Sequence, residues 1–441
     1  MTATERVREA LWGDSVRRTA TVVALAFVIA AIVYLVVVHA LDIETEVIRD
    51  RYWKNVVPLF DGEIPVLEYP PLVIVFIAIP RLFASSPWGY EVAYTAMMVV
   101  FTVIGMLLMS RLAGDLGHDR RKAMVIYGIL SMVMIEFVLD RFDMIAMVFT
   151  LAAVVMIVER RNCWAFFFLA VATLVKVYPG VLFPALFLYL LMGRDYGGAA
   201  KGFAVYAGTG LAVVAVCWLI DPDMITNFIN YNSGRPLQVE SLPASLVYLL
   251  SMFGLTDVWI QGSSAESFWS DNLRGPLADS VADTGLVIVG ILLIACWALY
   301  VYLATKRGEG DGMRLLALAM LASLLVFIGL NKVFSSQYLI WIIAPVVMAV
   351  MFMPVRRARR LFLITFVAMF LVQLNFAYNV GYLGGGANID DLGMMIILAK
   401  NLAIIAALAF VLREMTLPAP EEGASWGAIP LAETHSEPTK G

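Results

Sequence analysis

Apolar runs of roughly 17–25 residues recur along the whole of this chain, each long enough to cross the ~30 Å hydrocarbon core of a bilayer as a helix. Nothing else in the sequence narrows the fold so far. At membrane depth every backbone N–H and C=O must be satisfied internally, which leaves helices or a closed barrel. Runs of this length select the helices. Composition agrees, with 61% apolar residues, only 15% charged ones and a mean hydropathy of +0.84. The predicted fold class is therefore an all-α polytopic integral membrane protein.

The same numbers exclude several functions. A net charge of −4 and the lack of a basic tract argue against a nucleic-acid partner. Cys163, Cys217 and Cys296 all fall in apolar spans and read as packing rather than disulfides or metal ligands. Three histidines with no HExxH motif or Cys/His cluster make zinc chemistry an unexpected role, so no metal is predicted. The first apolar run has no small-residue cleavage site and is read as a retained first helix.

Spans are predicted near 19–41, 89–112, 122–139, 142–158, 163–176, 178–193, 200–220, 283–305, 313–330, 336–354, 360–378 and 392–412, about twelve in all. The apolar stretch 70–84 is short and is read as a half-inserted or interfacial element. With the N- and C-termini cytoplasmic, twenty-one of the thirty-one basic residues fall inside, nine fall at the outer rim, and Lys400 lies within the last span. That follows the positive-inside rule, whereas counting 70–84 as a full crossing would put Arg111, Arg120, Arg121 and Lys122 outside.

Residues 1–412 thus form one transmembrane domain with external loops 42–69, 221–282 and 378–391, and 413–441 read as a disordered cytoplasmic tail rich in Pro, Glu, Ala and Ser. The second loop carries an interfacial helix over 242–255, and the third is glycine-rich and mobile. Spans 163–176 and 178–193 are short and meet at Val-Lys-Val-Tyr-Pro-Gly (175–180), leaving Lys176 at the outer surface. This is either a broken helix lining a wet cavity or a proline kink with a snorkelling lysine. No internal repeat is evident, which weakens an inverted-repeat transporter.

Once topology is set, the unusual polar groups sort to one face. Four cations at the outer rim, Arg141, Lys176, Arg235 and Lys332, stand where basic residues should be scarce. Cations converging beside carboxylates suit an anionic headgroup next to a general base. The acids are supplied by the first loop: residues 42–72 hold seven carboxylates, Asp42, Glu44, Glu46, Asp50, Asp61, Glu63 and Glu68. Most of them read as solvated. Asp50 is favoured because Tyr52 and Trp53 follow it and aromatics stack on sugar rings; Glu68, held by Tyr69-Pro70-Pro71, is second. Asp143, beside Arg141 at a helix start, reads as an N-terminal cap or a ligand-positioning residue.

A first helix, an acid-bearing loop closing in Gly62 and Glu68-Tyr-Pro-Pro-Leu72, and then Arg141-Phe-Asp143 resemble the glycosyltransferase-C superfamily. More narrowly, the chain is similar to polyprenyl-phosphate-mannose-dependent mannosyltransferases of bacteria and archaea. Leu174-Val-Lys-Val-Tyr-Pro179, Arg235-Pro-Leu-Gln-Val-Glu-Ser241 and Lys332-Val-Phe-Ser-Ser-Gln-Tyr-Leu-Ile-Trp341 extend the match over roughly 20–412.

The resemblance implies an inverting transfer at the external face of the cytoplasmic membrane. A first-loop carboxylate would deprotonate an acceptor hydroxyl on a glycolipid or glycan, which attacks the anomeric carbon of a polyprenyl-phosphate sugar. It implies no cofactor beyond that lipid-linked co-substrate. Arg141, Asp143, Lys176, Tyr178, Arg235, Gln238, Glu240, Lys332, Gln337 and Tyr338 would bind the donor's phosphate and sugar, and Tyr52, Glu68 and Tyr69 would position the loop. One departure stands out. Related sequences place an aspartate four residues before the loop tyrosine, and here that position is Ile48. Asp50 is the expected base, with Asp42, Glu44 and Glu46 as alternatives. A lipid-linked-sugar flippase or an oligosaccharide polymerase or ligase are the competing readings. A flippase should carry its ionisable groups near the midplane, and a polymerase or ligase should have an arginine-rich external loop, whereas 221–282 has only Arg235 and Arg274.

Overall fold

The computed structural model of the chain describes residues 13–40, 46–64, 68–264, 268, 270–379, 390–421 and 425–426. The apolar runs fold as helices, and their ends fall where charge, proline or glycine interrupts the hydrophobic pattern. The order begins with α1 (Asp14–Ala40), a π-helical turn (Glu46–Trp53) running into α2 (Lys54–Phe60), and α3 (Val73–Ala78) extended by a 3-10 turn (Ile79–Leu82). It continues with α4 (Pro87–Asp115), α5 (Arg120–Val133), α6 (Ile135–Asp140), α7 (Asp143–Val158) and α8 (Asn162–Val175). A 3-10 turn (Tyr178–Leu182) leads into α9 (Phe183–Met192), followed by α10 (Tyr196–Ile220) and α11 (Asp223–Ser233).

Strand β1 (Leu237–Gln238), α12 (Leu242–Met252), β2 (Trp259–Gln261) and β3 (Asn272–Arg274) precede α13 (Pro276–Arg307) and α14 (Gly312–Gly329). A 3-10 stretch (Ser336–Ile342) enters α15 (Ile343–Met351), and α16 (Val355–Asn379) and α17 (Asp391–Thr416) complete the bundle.

Seven of the described helices, α1, α4, α10, α13, α14, α16 and α17, are long and apolar enough to cross a membrane. The protein is a multi-pass helical membrane protein. The other predicted spans are interrupted. Span 122–139 bends at Met134, between α5 and α6, and spans 178–193 and 336–354 each begin as 3-10 helix. Residues 73–82 form a helix too short to cross, with Leu82 and Phe83 exposed.

Helix α14 is the centre of the bundle; nearly every residue from Arg314 to Gly329 is buried. A helix apolar on all sides is stable only where neighbours cover it completely, and α13, α15 and α17 do so here. By contrast α10 buries only Ala199, Gly202 and Cys217, and presents Phe203, Leu211, Trp218 and Leu219 outward, as a lipid-facing helix should. Close packing among α4, α5 and α7 depends on Gly105. A Cβ there would collide with the Tyr127 hydroxyl, which donates to Thr102 O at 3.2 Å, and would sit 3.1 Å from Val148. Gly105→Ala should therefore lower stability by about 1–3 kcal/mol, read as a lower unfolding temperature in detergent.

The 221–282 segment adds strands to the helix expected in it: β1, β3 and β2 form a three-stranded antiparallel sheet, pairing Leu237 with Leu273 and Ile260 with Leu273. With Val239, Ala244, Val247 and Ala278, these residues build a small second core against Met394 and Ile397 of α17. The opposite side of α12 exposes Leu246 and Leu250, so this helix is apolar on both faces rather than amphipathic as the sequence reading expects. Of the segment 413–441, the described residues include the end of α17, which runs to Thr416, and Trp426, whose N donates to Met353 O at 2.7 Å. The glycine-rich loop prediction falls largely on 380–389, and most of the tail prediction on 427–441, both outside the described residues.

Candidate functional site

Three chain breaks at one end of the bundle aim cations at a common space. After α6, Arg141 is in extended conformation, its guanidinium 3.1 Å from Asp140. After α8, Lys176 is also extended, and Pro179, which cannot continue an α-helix, sits in the first turn of the 3-10 segment that follows. The Tyr-Pro-Pro corner docks on this break through Leu72 N, which donates to Leu174 O at 3.2 Å. After α14, residues 330–335 run without helix and set Lys332 opposite β1, where Gln238 N donates to Lys332 O at 3.0 Å.

Together these segments enclose a cavity of about 510 Å³. Among the described residues its wall carries five cations, Arg51, Arg141, Lys176, Arg235 and Lys332, and one carboxylate, Glu68. Of the residues expected from the sequence, Glu68, Tyr69, Arg141, Lys176, Tyr178, Arg235, Gln238, Lys332, Gln337 and Tyr338 all line it. Arg51, Arg141 and Lys176 pair with Glu68, Asp140 and Asp143, so among the described residues Arg235 and Lys332 are the wall cations without a carboxylate in ion-pair distance, and in a partly desolvated space they favour an anion. Burial lowers the pKa of the Lys332 ammonium; Asp283 partly opposes that and the positive charge of Arg235 adds to it. Desolvation opposes the charge on Arg51, yet Tyr69 and Glu68 beside it raise its pKa overall.

One wall is aromatic. Trp341 stacks on Tyr178 (4.2 Å between ring centroids, 8° between planes) and on Tyr338 (4.0 Å, 24°). Asp143 fixes that slab from below: fully buried, it accepts from Trp341 Nε1 at 2.6 Å and from Lys176 Nζ at 3.2 Å. Lys176 also lies over the rings of Phe142 (4.5 Å) and Tyr69 (5.3 Å). Asp143 therefore does not line the cavity; it orients the lysine and tryptophan that do.

Other expected residues are placed differently. Asp50 faces away: its carboxylate pairs with Lys54 at 2.6 Å on the outside of the π-helical turn, and its side chain is 42% exposed. Its neighbour Arg51 points inward instead and donates to Glu68 Oε1 at 3.2 Å. The reason is aromatic anchoring. Tyr52 is buried against Tyr94 (5.3 Å) and Phe142 (5.7 Å), and Ile48 is fully buried one turn away, so the turn's register turns position 50 outward. Tyr52 holds the loop without lining the cavity. Asp42 and Glu44 lie outside the described residues, as does the side chain of Glu46.

Glu240 also lies outside the cavity wall. Its backbone oxygen accepts from Lys400 Nζ at 2.8 Å and Asn401 Nδ2 at 3.1 Å, and its carboxylate accepts from Ser336 Oγ at 3.1 Å. Lys400, fully buried in α17 over the Phe334 ring at 3.5 Å, is thereby accounted for as a tie between the 235–241 and 332–338 segments.

Arg51 and Trp341 are among the wall residues that the sequence reading did not single out. Arg51 had a signal, since it is one of the nine cations that charge counting puts at the outer rim, but Asp50 beside it offers the more familiar chemistry of a base. Trp341 ends the Lys332–Trp341 motif and reads as membrane core until Asp143, 198 residues earlier in the chain, is seen to accept its N–H.

No curated protein matches the chain. The family model of glycosyltransferase family 87 matches residues 67–330, a stretch that holds Glu68, Arg141, Lys176 and Arg235. That match covers well over half of the 441 residues, and the chain belongs to glycosyltransferase family 87.

Proposed function

We propose that the protein transfers a sugar, mannose on the sequence resemblance, from a polyprenyl-phosphate donor to an acceptor hydroxyl of a glycolipid or glycan. The observation that carries this is the cavity, where five cations converge, Arg235 and Lys332 among them without a carboxylate partner in the described residues, beside an aromatic slab. A lipid phosphate supplies the missing negative charge, and a sugar ring has aromatic surface to lie on. The proposal includes the glycosyltransferase-C architecture, about twelve crossings, cytoplasmic termini and a cavity opening at the external face of the cytoplasmic membrane.

In this reading the acceptor oxygen attacks the anomeric carbon as the bond from that carbon to the phosphate oxygen breaks, inverting the configuration. The proton leaves the acceptor hydroxyl for a carboxylate, and the departing phosphate keeps the bonding electron pair. Arg141, Lys176, Arg235 and Lys332 stabilise that growing charge, the largest electrostatic contribution such a site can make. Glu68 is assigned as the base, because it is the one carboxylate on the cavity wall among the described residues. Asn232 Nδ2 donates to its backbone oxygen at 3.1 Å, and Arg51 holds its side chain. No metal or organic cofactor enters these steps.

The test is transfer by purified protein in lipid nanodiscs, given radiolabelled mannosyl-phosphate polyprenol or a mannosyl nucleotide. Transfer from the lipid monophosphate and none from the nucleotide is expected. Transfer from the nucleotide alone, or no binding of any polyprenyl-phosphate sugar, would overturn the proposal.

A further inference from the structure

A second groove lies at the other end of the bundle. The chain passes from it to the catalytic end along α5 and α6, which start at Arg120 and finish beside Arg141, and along the 3-10 stretch and α15, which run from Ser336 to Met351. The groove has a volume of about 560 Å³ and runs between α5 and α16. Its walls are aliphatic and aromatic: Val125 and Ile129, one turn apart on α5, face Val355 and Phe362 of α16. Val125, Ile129 and Val355 remain substantially exposed, so no part of the described chain fills the space.

The mouth of the groove is charged. Among the described residues Arg121, Lys122 and Arg359 border it, with one carboxylate, Asp119. Asp119 is already engaged, accepting from Arg121 N at 2.9 Å and Lys122 N at 3.4 Å as the cap of α5, with the Arg121 guanidinium 3.6 Å away. The tail completes the rim. Lys122 Nζ donates to Trp426 O at 2.8 Å and lies 5.7 Å from the Trp426 ring centroid, and Pro354 bridges Ser425. An indole held beside cations above an apolar slot is the arrangement of a membrane-interface anchor.

From this juxtaposition we infer that the α5–α16 groove binds an anionic phospholipid in the leaflet opposite the catalytic cavity. The phosphate sits among Arg121, Lys122 and Arg359, and one acyl chain lies along Val125, Ile129 and Phe362. Basic pockets between membrane helices bind lipid headgroups by this combination of charge and apolar contact. Cations at the mouth with no excess of acid distinguish an anionic headgroup from a zwitterionic one. The apolar slot distinguishes a lipid from a free phosphate. The inference does not depend on the donor assigned to the catalytic cavity.

Native mass spectrometry of the full-length protein, with phosphatidylglycerol, phosphatidylcholine or glycerol 3-phosphate added, tests it. Wild type should retain one phosphatidylglycerol in preference to phosphatidylcholine, and should not retain glycerol 3-phosphate. Arg121→Gln with Arg359→Gln should weaken retention about 25-fold, roughly fivefold for each cation near the surface. Ile129→Trp, which leaves every charge in place, should also displace the lipid by filling the slot. Both variants alter partly exposed positions, and an unfolding temperature in detergent matching that of wild type shows that they fold. Equal retention of phosphatidylcholine, retention of glycerol 3-phosphate, or phosphatidylglycerol binding unchanged in both variants would overturn the inference.

Discussion

Glu68→Gln should lower turnover by about 100- to 10,000-fold, the usual contribution of a positioned general base, while Asp50→Asn should leave turnover near wild type. The two residues are both first-loop acids, and geometry separates them. Glu68 borders the cavity, whereas Asp50 is tied to Lys54 on the outer side of its turn. An exposed pair of that kind contributes only ~0–1 kcal/mol, so losing it should barely disturb the loop. Glutamine keeps the size of Glu68 and can still accept from Arg51, so donor binding should persist while the chemical step fails. The experiment is a comparison of kcat with the affinity for the lipid donor. A variant that loses donor affinity with kcat intact would show that Glu68 only positions the loop. An Asp50→Asn enzyme that falls by the larger factor would return the base to Asp50.

Asp143→Leu should destabilise the protein by about 3–5 kcal/mol, because it leaves the Lys176 ammonium buried without its counter-charge. It also orphans the Trp341 N–H, which has Asp143 Oδ1 as its acceptor at 2.6 Å. Adding Lys176→Met to that variant should restore much of the lost stability, since removing both partners of a buried pair is far less costly than removing one. Activity should not return with it, because Lys176 is part of the cavity wall. Thermal unfolding in detergent and the transfer assay, run on both single variants and the double, complete the cycle. Equal unfolding temperatures for Asp143→Leu and the double variant would show that the pair is not coupled.

The architecture was readable because membrane helices carry their signal locally. Predicted spans 142–158 and 163–176 match α7 and α8 to within a residue or so at each end. The interruption at Lys176 could be read from Pro179 alone. The convergence of Arg141, Lys176, Arg235 and Lys332 could be read from charge asymmetry, because cations on the sparsely basic face need a reason to be there. What escaped depends on register or on distant partners. Whether position 50 or 51 faces the cavity is set by Tyr52 and Ile48 packing against other helices, and a cluster of seven acids has no periodicity to reveal it. Glu240 resembled a ligand because its partners Lys400 and Asn401 lie 160 and 161 residues away. Strands of two or three residues such as β1 and β3 are too short to show alternation.

Equilibrium binding of polyprenyl monophosphate in nanodiscs reads out whether the cationic cavity holds a lipid phosphate. Wild type should bind it saturably and bind neutral polyprenol far more weakly. Arg235→Gln and Lys332→Gln should each reduce affinity roughly 10- to 100-fold, the loss expected for one hydrogen bond to a charged group. Equal binding of polyprenol, or affinity unchanged in both variants, would contradict the account.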